Sequence, residues 1–128
     1  MTQQINNNII LFIDWGTTNY RAYKYDLFKN KIISKIENNK GIFNIKDKLE
    51  YIKILKQTLK KFNLPKKQFI LMAGMVGSKK GMFEAKYVNI PTAVKTLSKK
   101  ILYKKISDLD LGIIPGLVFK KDNYYDVV

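Results

Sequence analysis

A continuous apolar run followed by a polar turn signal is the feature that most constrains how this chain folds. The run is IILFI at residues 9–13, and the octad DWGTTNYR follows at residues 14–21. Short apolar runs bounded by turn signals are typical of buried strands, so we expect a strand that delivers a carboxylate at its exit. Apolar and charged residues alternate again from Tyr20 to Tyr25, which predicts a second strand and places the octad at the bend of a β-hairpin.

The octad carries groups that suit the phosphates of a nucleotide. Gly16 permits a tight turn, and Thr17 and Thr18 place hydroxyl and backbone N–H groups side by side. N–H groups that converge in such a turn can cradle an anion. Asp14 is placed to hold Mg²⁺ directly or through water, because magnesium prefers oxygen ligands and keeps much of its hydration. A hairpin with a polar bend and no ligand is the alternative interpretation.

Arg21 is the only arginine in a chain that has 24 lysine and arginine residues. In a composition so biased towards lysine, an arginine is expected where lysine cannot serve. A guanidinium group holds two phosphate oxygens at once, whereas an ammonium group acts as a point charge. We therefore interpret Arg21 as a phosphate ligand, with an ordinary surface arginine as the alternative.

Four segments of the chain occur in an order and at a spacing that suggest a known family. They are DWGTTNYRAY at residues 14–23, MAGMVGS at residues 72–78, EAKYV at residues 84–88 and IIPGL at residues 113–117. Together they resemble the 2-dehydro-3-deoxygalactonokinases, a family of sugar-acid kinases. The first segment also resembles the first phosphate motif of the superfamily of sugar kinases, heat-shock chaperones and actin. The resemblance extends from the apolar run to the last residue.

The resemblance implies that residues 1–128 are the N-terminal ribonuclease-H-like lobe of a cytoplasmic carbohydrate kinase that uses ATP and Mg²⁺. The implied reaction is ATP-dependent phosphorylation of 2-dehydro-3-deoxygalactonate, a step in galactonate breakdown. Asp14 would organise the metal, and Arg21 would offset charge on the transferring group. Phosphate oxygens would be held by four turn residues: Gly16, Thr17, Thr18 and Asn19.

Members of this family are much longer, so we expect the C-terminal lobe to be absent from this chain. The general base of related kinases lies later in the chain, and it is left unassigned. We therefore expect this chain alone to bind its ligands weakly or not at all, and to be inactive. A partner chain that carries the second lobe, a homo-oligomer and a truncated, non-catalytic remnant of the kinase are all left open.

The resemblance also implies that the loop after residues 69–73 binds the sugar acid. Five residues of this loop are assigned to the substrate: Gly77, Ser78, Lys79, Glu84 and Tyr87. The N–H groups around Gly77 and Ser78 would bind the carboxylate, and Lys79 would add positive charge. The chain departs from the family where Lys79 replaces a usual Arg, Met82 a frequent Trp and Lys86 an expected Pro. A flexible surface loop is the alternative.

Composition excludes several classes of function. Cysteine and histidine are both absent, which removes disulfides, thiolate chemistry and catalysis by imidazole. The N-terminal segment does not resemble a signal peptide, and no apolar run is long enough to span a membrane, so we expect no membrane partner. A ribonuclease-H-type nuclease is disfavoured, because that chemistry needs several carboxylates around two metals and only Asp14 is well placed.

A formal net charge of +14 would attract nucleic acid without any specific site. The lysines are spread along the chain in pairs, however, and no recognised nucleic-acid-binding motif accompanies them. We therefore expect no specific nucleic-acid partner, although a basic nucleic-acid-binding module is the alternative from another class of function.

Periodicity predicts one α/β domain with a mixed sheet and the order β-β-β-α-β-α-β, as in a ribonuclease-H-like lobe. Residues 31–37 are predicted as the third strand, and residues 69–73, apolar on both faces, as a central parallel strand. Helices are predicted over residues 47–62 and 92–102, before a last strand at residues 111–114. The apolar face of the first helix consists of Leu49, Ile52, Leu55, Leu59 and Phe62.

Overall fold

The computed structural model describes residues 8–89, 93–121 and 124–127, which form a mixed α/β fold. Within these ranges the elements are β1 (Ile9–Trp15), β2 (Tyr20–Asp26), β3 (Lys31–Asn38), α1 (Lys48–Lys61), β4 (Phe69–Ala73), β5 (Val88–Asn89), α2 (Val94–Lys99), β6 (Leu102–Ile106), β7 (Leu109–Ile113), β8 (Leu117–Lys121) and β9 (Tyr124–Val127). Two short 3₁₀ turns, Ile42–Asn44 and Met75–Gly77, follow β3 and β4.

The main sheet has six strands in the order β3-β2-β1-β4-β7-β6. Strands β1, β4 and β7 run parallel at its centre, while β2, β3 and β6 pair antiparallel at the two sides. The predicted hairpin and the predicted central parallel strand are therefore confirmed. A second, smaller sheet has the order β5-β8-β9.

Helix α1 begins where Asp47 caps it, since the Asp47 carboxylate accepts the Glu50 N–H at 2.9 Å. The predicted face is confirmed at Ile52, Leu55, Leu59 and Phe62, which are buried. Leu49 is 73% exposed, so its assignment to this face is wrong. Leu55 lies six positions after Leu49, which places the two side chains roughly 120° apart around the helix. No helix among the described residues has the length and apolar character needed to cross a membrane.

The second helix is shorter than predicted, because the chain forms an additional strand there. Helix α2 ends at Lys99, and β6 begins at Leu102 and pairs with β7. Ser107 and Asp108 join these strands with φ angles of 49° and 67°, the positive values that a tight hairpin turn requires. The predicted order of elements therefore lacked β6, and also the strands of the smaller sheet. Thr92, the predicted start of the helix, lies outside the described residues.

Buried and partly exposed side chains alternate along β1, so its two faces have different surroundings. Ile9, Leu11, Ile13 and Trp15 are buried on one face, where the buried face of α1 also belongs to the core. Side chains at the intervening positions point to the opposite face, because successive residues of a strand alternate. Asp14 therefore lies on the face away from this core, at the end of the strand where the chain turns towards β2.

Candidate functional site

Three parallel strands end at one edge of the main sheet, and the segments that follow them meet there. β1, β4 and β7 lead into residues 16–19, 74–87 and 114–116 respectively. In open α/β sheets, ligands bind outside the carboxyl ends of such strands. A cavity of about 370 Å³ lies at this edge. It is lined by Gly16, Ala73, Gly74, Met75, Gly77, Ser78, Tyr87, Leu97, Ile114, Pro115, Gly116 and Leu117.

The turn between β1 and β2 is fixed by hydrogen bonds from residues 39–44, which we call the backing segment. The Gly16 N–H closes the turn by donating to the Asn19 carbonyl at 2.9 Å. The three carbonyl groups of residues 16–18 each accept one N–H from the backing segment. These bonds are Ile42 to Gly16 at 2.9 Å, Phe43 to Thr17 at 3.0 Å and Gly41 to Thr18 at 3.1 Å.

These bonds orient three consecutive N–H groups of the turn. In a trans peptide the C=O of one residue and the N–H of the next point in opposite directions. Since the three carbonyl groups point at the backing segment, the N–H groups of Thr17, Thr18 and Asn19 point away from it. Among the described residues, none of the three donates a hydrogen bond. N–H groups that converge in this way can form a backbone anion cradle.

Asp14 and Arg21 are directly opposite each other in the β1–β2 ladder. The Asp14 Oδ2 lies 3.6 Å from the Arg21 Nη1, and the Arg21 Nε lies 3.5 Å from the Glu37 Oε2 on β3. Lys35 completes the row at 2.9 Å from the Glu37 Oε2, and its hydrogen bond and charge hold the pKa of Glu37 below its ordinary value. The Arg21 guanidinium group therefore lies between the carboxylates of Asp14 and Glu37, close to the turn.

The surroundings of Asp14 fit a magnesium ion that is held mainly by water and phosphate. Its side chain is 45% exposed and makes only a loose ion pair. No cluster of three or more acidic residues that could hold a metal occurs in the described ranges. One carboxylate is nevertheless sufficient, because Mg²⁺ is commonly bound by one or two carboxylates, water and substrate phosphates.

Gly74 brings the end of β4 against this carboxylate. A Cβ atom at Gly74 would lie 2.7 Å from the Trp15 carbonyl oxygen and 3.4 Å from the Asp14 Oδ1. Its φ of 97° is also one that side-chain-bearing residues rarely adopt. The close approach of β4 to Asp14 therefore requires glycine. Gly74 belongs to the MAGMVGS motif, in the loop that the sequence assigned to the sugar acid.

Gly77 and Ser78 line the cavity, but their N–H groups already have acceptors. The Gly77 N–H donates to the Gly74 carbonyl at 3.2 Å, and the Ser78 N–H donates to the Met75 carbonyl at 3.0 Å. The Ser78 hydroxyl also donates to the Met75 carbonyl, at 2.6 Å. The structure thus corrects the expectation that these two N–H groups are available to a carboxylate. Both residues shape the wall of the cavity.

The other three residues predicted to bind substrate are separated from one another. Tyr87 lines the cavity, and it also borders a more polar groove of about 810 Å³. Glu84 lines only that groove, together with Lys86, Thr96 and Lys99. Lys79 is exposed on the loop and lines neither. Four of the predicted site residues therefore line the same cavity: Gly16, Gly77, Ser78 and Tyr87.

Sequence reasoning did not assign Pro115 and Gly116 to the site. Both line the cavity, and the Val88 N–H donates to the Gly116 carbonyl at 3.0 Å, which holds the chain after Tyr87 against this segment. The available signal was the IIPGL motif, which was recognised as a resemblance but not interpreted as part of a binding site.

Comparisons with known proteins agree with this architecture. The family model described as 2-keto-3-deoxy-galactonokinase matches residues 14–128. The chain is 28% identical over 116 residues to the 2-dehydro-3-deoxygalactonokinase of Escherichia coli and 25% identical to a protein of Rhizobium meliloti named as a probable enzyme of that kind. Each alignment covers 91% of this chain and 37% of the relative. The chain thus spans less than two fifths of the length of these relatives.

A solved structure from Sinorhizobium meliloti, provisionally described as a 2-dehydro-3-deoxygalactonokinase, shows the same fold. The TM-score is 0.81 at 24% identity, over 93% of this chain and 38% of that one. At this sequence identity, the structural similarity is evidence for the fold alone. The family model, by contrast, covers nearly all of the chain, including the turn and the cavity. This chain therefore belongs to the 2-keto-3-deoxy-galactonokinase family.

Proposed function

We propose that this chain is the N-terminal, ribonuclease-H-like lobe of a sugar-acid kinase and binds Mg²⁺-ATP at the turn between β1 and β2. The observation that carries the proposal is the common orientation of the N–H groups of Thr17, Thr18 and Asn19. These three N–H groups have no acceptor among the described residues and point the same way, which suits the oxygens of an anion such as phosphate. The names of the relatives support phosphoryl transfer to 2-dehydro-3-deoxygalactonate.

In this proposal the two charged residues that flank the turn, Asp14 on β1 and Arg21 on β2, have separate roles. Asp14 holds the magnesium ion, which when bound neutralises charge on the phosphates. Arg21 lies opposite Asp14 on the neighbouring strand, and its planar guanidinium group offsets charge on the transferring phosphoryl group. Preorganised electrostatics of this kind are the main contribution of protein to phosphoryl transfer. No residue described here is assigned as the base that accepts the proton of the sugar hydroxyl.

The sugar acid is proposed to occupy the cavity next to the turn. Gly77 and Ser78 shape its wall, and Tyr87 can reach a substrate hydroxyl from the border with the polar groove. Glu84 and Lys79 lie farther out, where they are proposed to contact the substrate as it enters. Because the chain spans 37% of the length of its relatives, turnover is proposed to require the remainder of the family fold.

Nuclear magnetic resonance of the labelled chain tests the proposal directly. Titration with Mg²⁺-ATP is expected to shift the amide signals of Thr17, Thr18 and Asn19 before any others, and to do so at physiological salt. A basic chain also attracts ATP non-specifically, so sodium chloride at matched ionic strength serves as the control. Shifts confined to exposed lysines, or shifts that sodium chloride reproduces, would refute a phosphate site at the turn.

A further inference from the structure

The backing segment, residues 39–44, is anchored to the end of β1 by Trp15. The indole N–H of Trp15 donates to the Lys40 carbonyl oxygen at 2.7 Å. Trp15 is completely buried, and its ring packs edge-on against Tyr20 and Tyr51 with centroids 4.6 and 5.0 Å away. Because neighbouring rings fix the indole, its N–H holds the Lys40 carbonyl, and the next residue, Gly41, in one place.

Gly41 is where the backing segment lies closest to the turn. A Cβ atom at this position would overlap backbone atoms of Thr17 and Thr18. Overlap with backbone cannot be relieved by rotating a side chain, so any larger residue has to push the segment and the turn apart. The φ of Gly41 is −65°, a value that every residue adopts. Glycine is therefore required here for space alone.

Separation of the segment from the turn would break several hydrogen bonds together. The three donors, Gly41, Ile42 and Phe43, are consecutive, and their acceptors are the consecutive carbonyl groups of residues 16–18. Once these carbonyl groups lose their partners, the peptide planes of the turn can rotate. The N–H groups of the turn would then no longer share one direction.

We propose that Trp15 and Gly41 are positioning residues, which act through the backing segment to hold the turn in the orientation that binds phosphate. The inference rests on the proposed function of the turn and extends it to residues that contact no ligand themselves. Trp15 is thereby assigned a place beneath the turn.

The variant Gly41→Ala tests the proposal, with Phe43→Ala as the matched control. Phe43 belongs to the same segment, but its side chain is 65% exposed and its replacement leaves the backbone N–H in place. Amide exchange of the ligand-free chains is expected to be slow at residues 41–43 in wild type and in Phe43→Ala. It is expected to be much faster in Gly41→Ala, while the β1 and β4 amides remain protected.

Binding of Mg²⁺-ATP is then measured on the same three proteins by amide shifts. Gly41→Ala is expected to weaken binding at the turn at least tenfold while the remaining spectrum stays dispersed. Phe43→Ala is expected to bind as wild type does. A folded Gly41→Ala chain with wild-type affinity would overturn the inference but leave the proposed function intact. Absence of binding at the turn of the wild-type chain would overturn both.

Trp15→Phe provides a second route should Gly41→Ala fail to fold. It removes the indole N–H and keeps an aromatic ring in the core. Loss of slow exchange at residues 41–43 together with weaker Mg²⁺-ATP binding is the expected result. Unchanged exchange and unchanged affinity in a folded Trp15→Phe chain would contradict the role assigned to Trp15.

Discussion

Asp14 and Arg21 face each other across the first hairpin as a cross-strand pair, with the carboxylate Oδ2 3.6 Å from the guanidinium Nη1. Both side chains are partly exposed, and pairs of this kind contribute little to stability. The pair can therefore open at small cost in free energy. An ion pair that opens easily leaves a carboxylate for magnesium and a guanidinium group for phosphate.

The first prediction concerns the carboxylate. Asp14→Asn keeps the shape of the side chain but removes its charge, so the chain should fold normally. Mg²⁺ should increase the affinity of wild type for ATP but should not do so for Asp14→Asn. In the presence of Mg²⁺ the variant should therefore bind ATP about tenfold or more weakly than wild type, since a contact to a charged group is worth about 1.5–3 kcal/mol. Calorimetric titration with ATP, with and without Mg²⁺, measures this difference.

Glu37→Gln is the control for this prediction. Glu37 also pairs with Arg21, at 3.5 Å, but lies one strand farther from the turn. Its replacement should leave the magnesium dependence of ATP binding unchanged. If Asp14→Asn also retained that dependence, the metal-binding role of Asp14 would be wrong.

The second prediction concerns the planar fork of Arg21. Arg21→Lys keeps the positive charge, yet it should weaken binding of Mg²⁺-ATP nearly as much as Arg21→Gln, because a single ammonium group cannot hold two oxygens in one plane. Lys35→Gln, which alters the same row of charges, should bind as wild type does. Equal affinities of Arg21→Lys and wild type would show that only the charge matters. Calorimetry on the four proteins distinguishes these outcomes.

Local periodicity was sufficient to predict the elements that carry the site. The hairpin, α1 and the central strand β4 each have a pattern contained within a few consecutive residues, and the structure has all three. β6 was missed because its turn, Ser107-Asp108, lacks the glycine or asparagine that usually marks positive φ. The pairing of Val88 with Leu117 in the smaller sheet joins distant segments, and no local pattern indicates it.

The candidate site was predictable only in part, for a similar reason. The motif indicated Asp14, the turn and Arg21, which are neighbours in the chain. The backing segment lies more than twenty positions from the turn that it supports, and its only local signal was Gly41 in a turn-prone stretch. The hydrogen bonds that the N–H groups of Gly77 and Ser78 donate within their own loop could not be predicted from the sequence either, because they depend on the 3₁₀ geometry of that loop.

The third prediction concerns Gly74, which has a φ of 97° and lies against β1. Gly74→Ala should destabilise the chain by about 1–3 kcal/mol, since it adds backbone strain to a contact with the Trp15 carbonyl oxygen. Gly16→Ala is the matched control for stability, because a Cβ there would meet its nearest neighbour, the Asn19 carbonyl oxygen, at an ordinary 3.7 Å. Urea denaturation of both variants measures the difference, and equal stabilities would contradict the steric argument.

The fourth prediction concerns a buried hydrogen bond between β2 and α1. The Tyr20 and Thr58 hydroxyl oxygens lie 2.5 Å apart, and Thr58 also donates to the Ile54 carbonyl at 2.9 Å. Tyr20 is therefore the donor to Thr58. Tyr20→Phe should cost about 1 kcal/mol at neutral pH, as expected for one lost hydrogen bond. Tyr103→Phe, at a residue that is 63% exposed, should change the free energy of unfolding by less than about 0.5 kcal/mol.

The same tyrosine predicts how stability depends on alkaline pH. Burial raises the pKa of Tyr20 well above its ordinary value of 10.0. Above pH 10 the unfolded chain therefore releases the Tyr20 proton while the folded chain keeps it. The free energy of unfolding must then fall as pH rises, by up to about 1.4 kcal/mol per pH unit from this group. Denaturation between pH 8 and 11 should show a smaller fall in Tyr20→Phe than in wild type or Tyr103→Phe, and parallel curves for all three would contradict the burial of an un-ionised Tyr20.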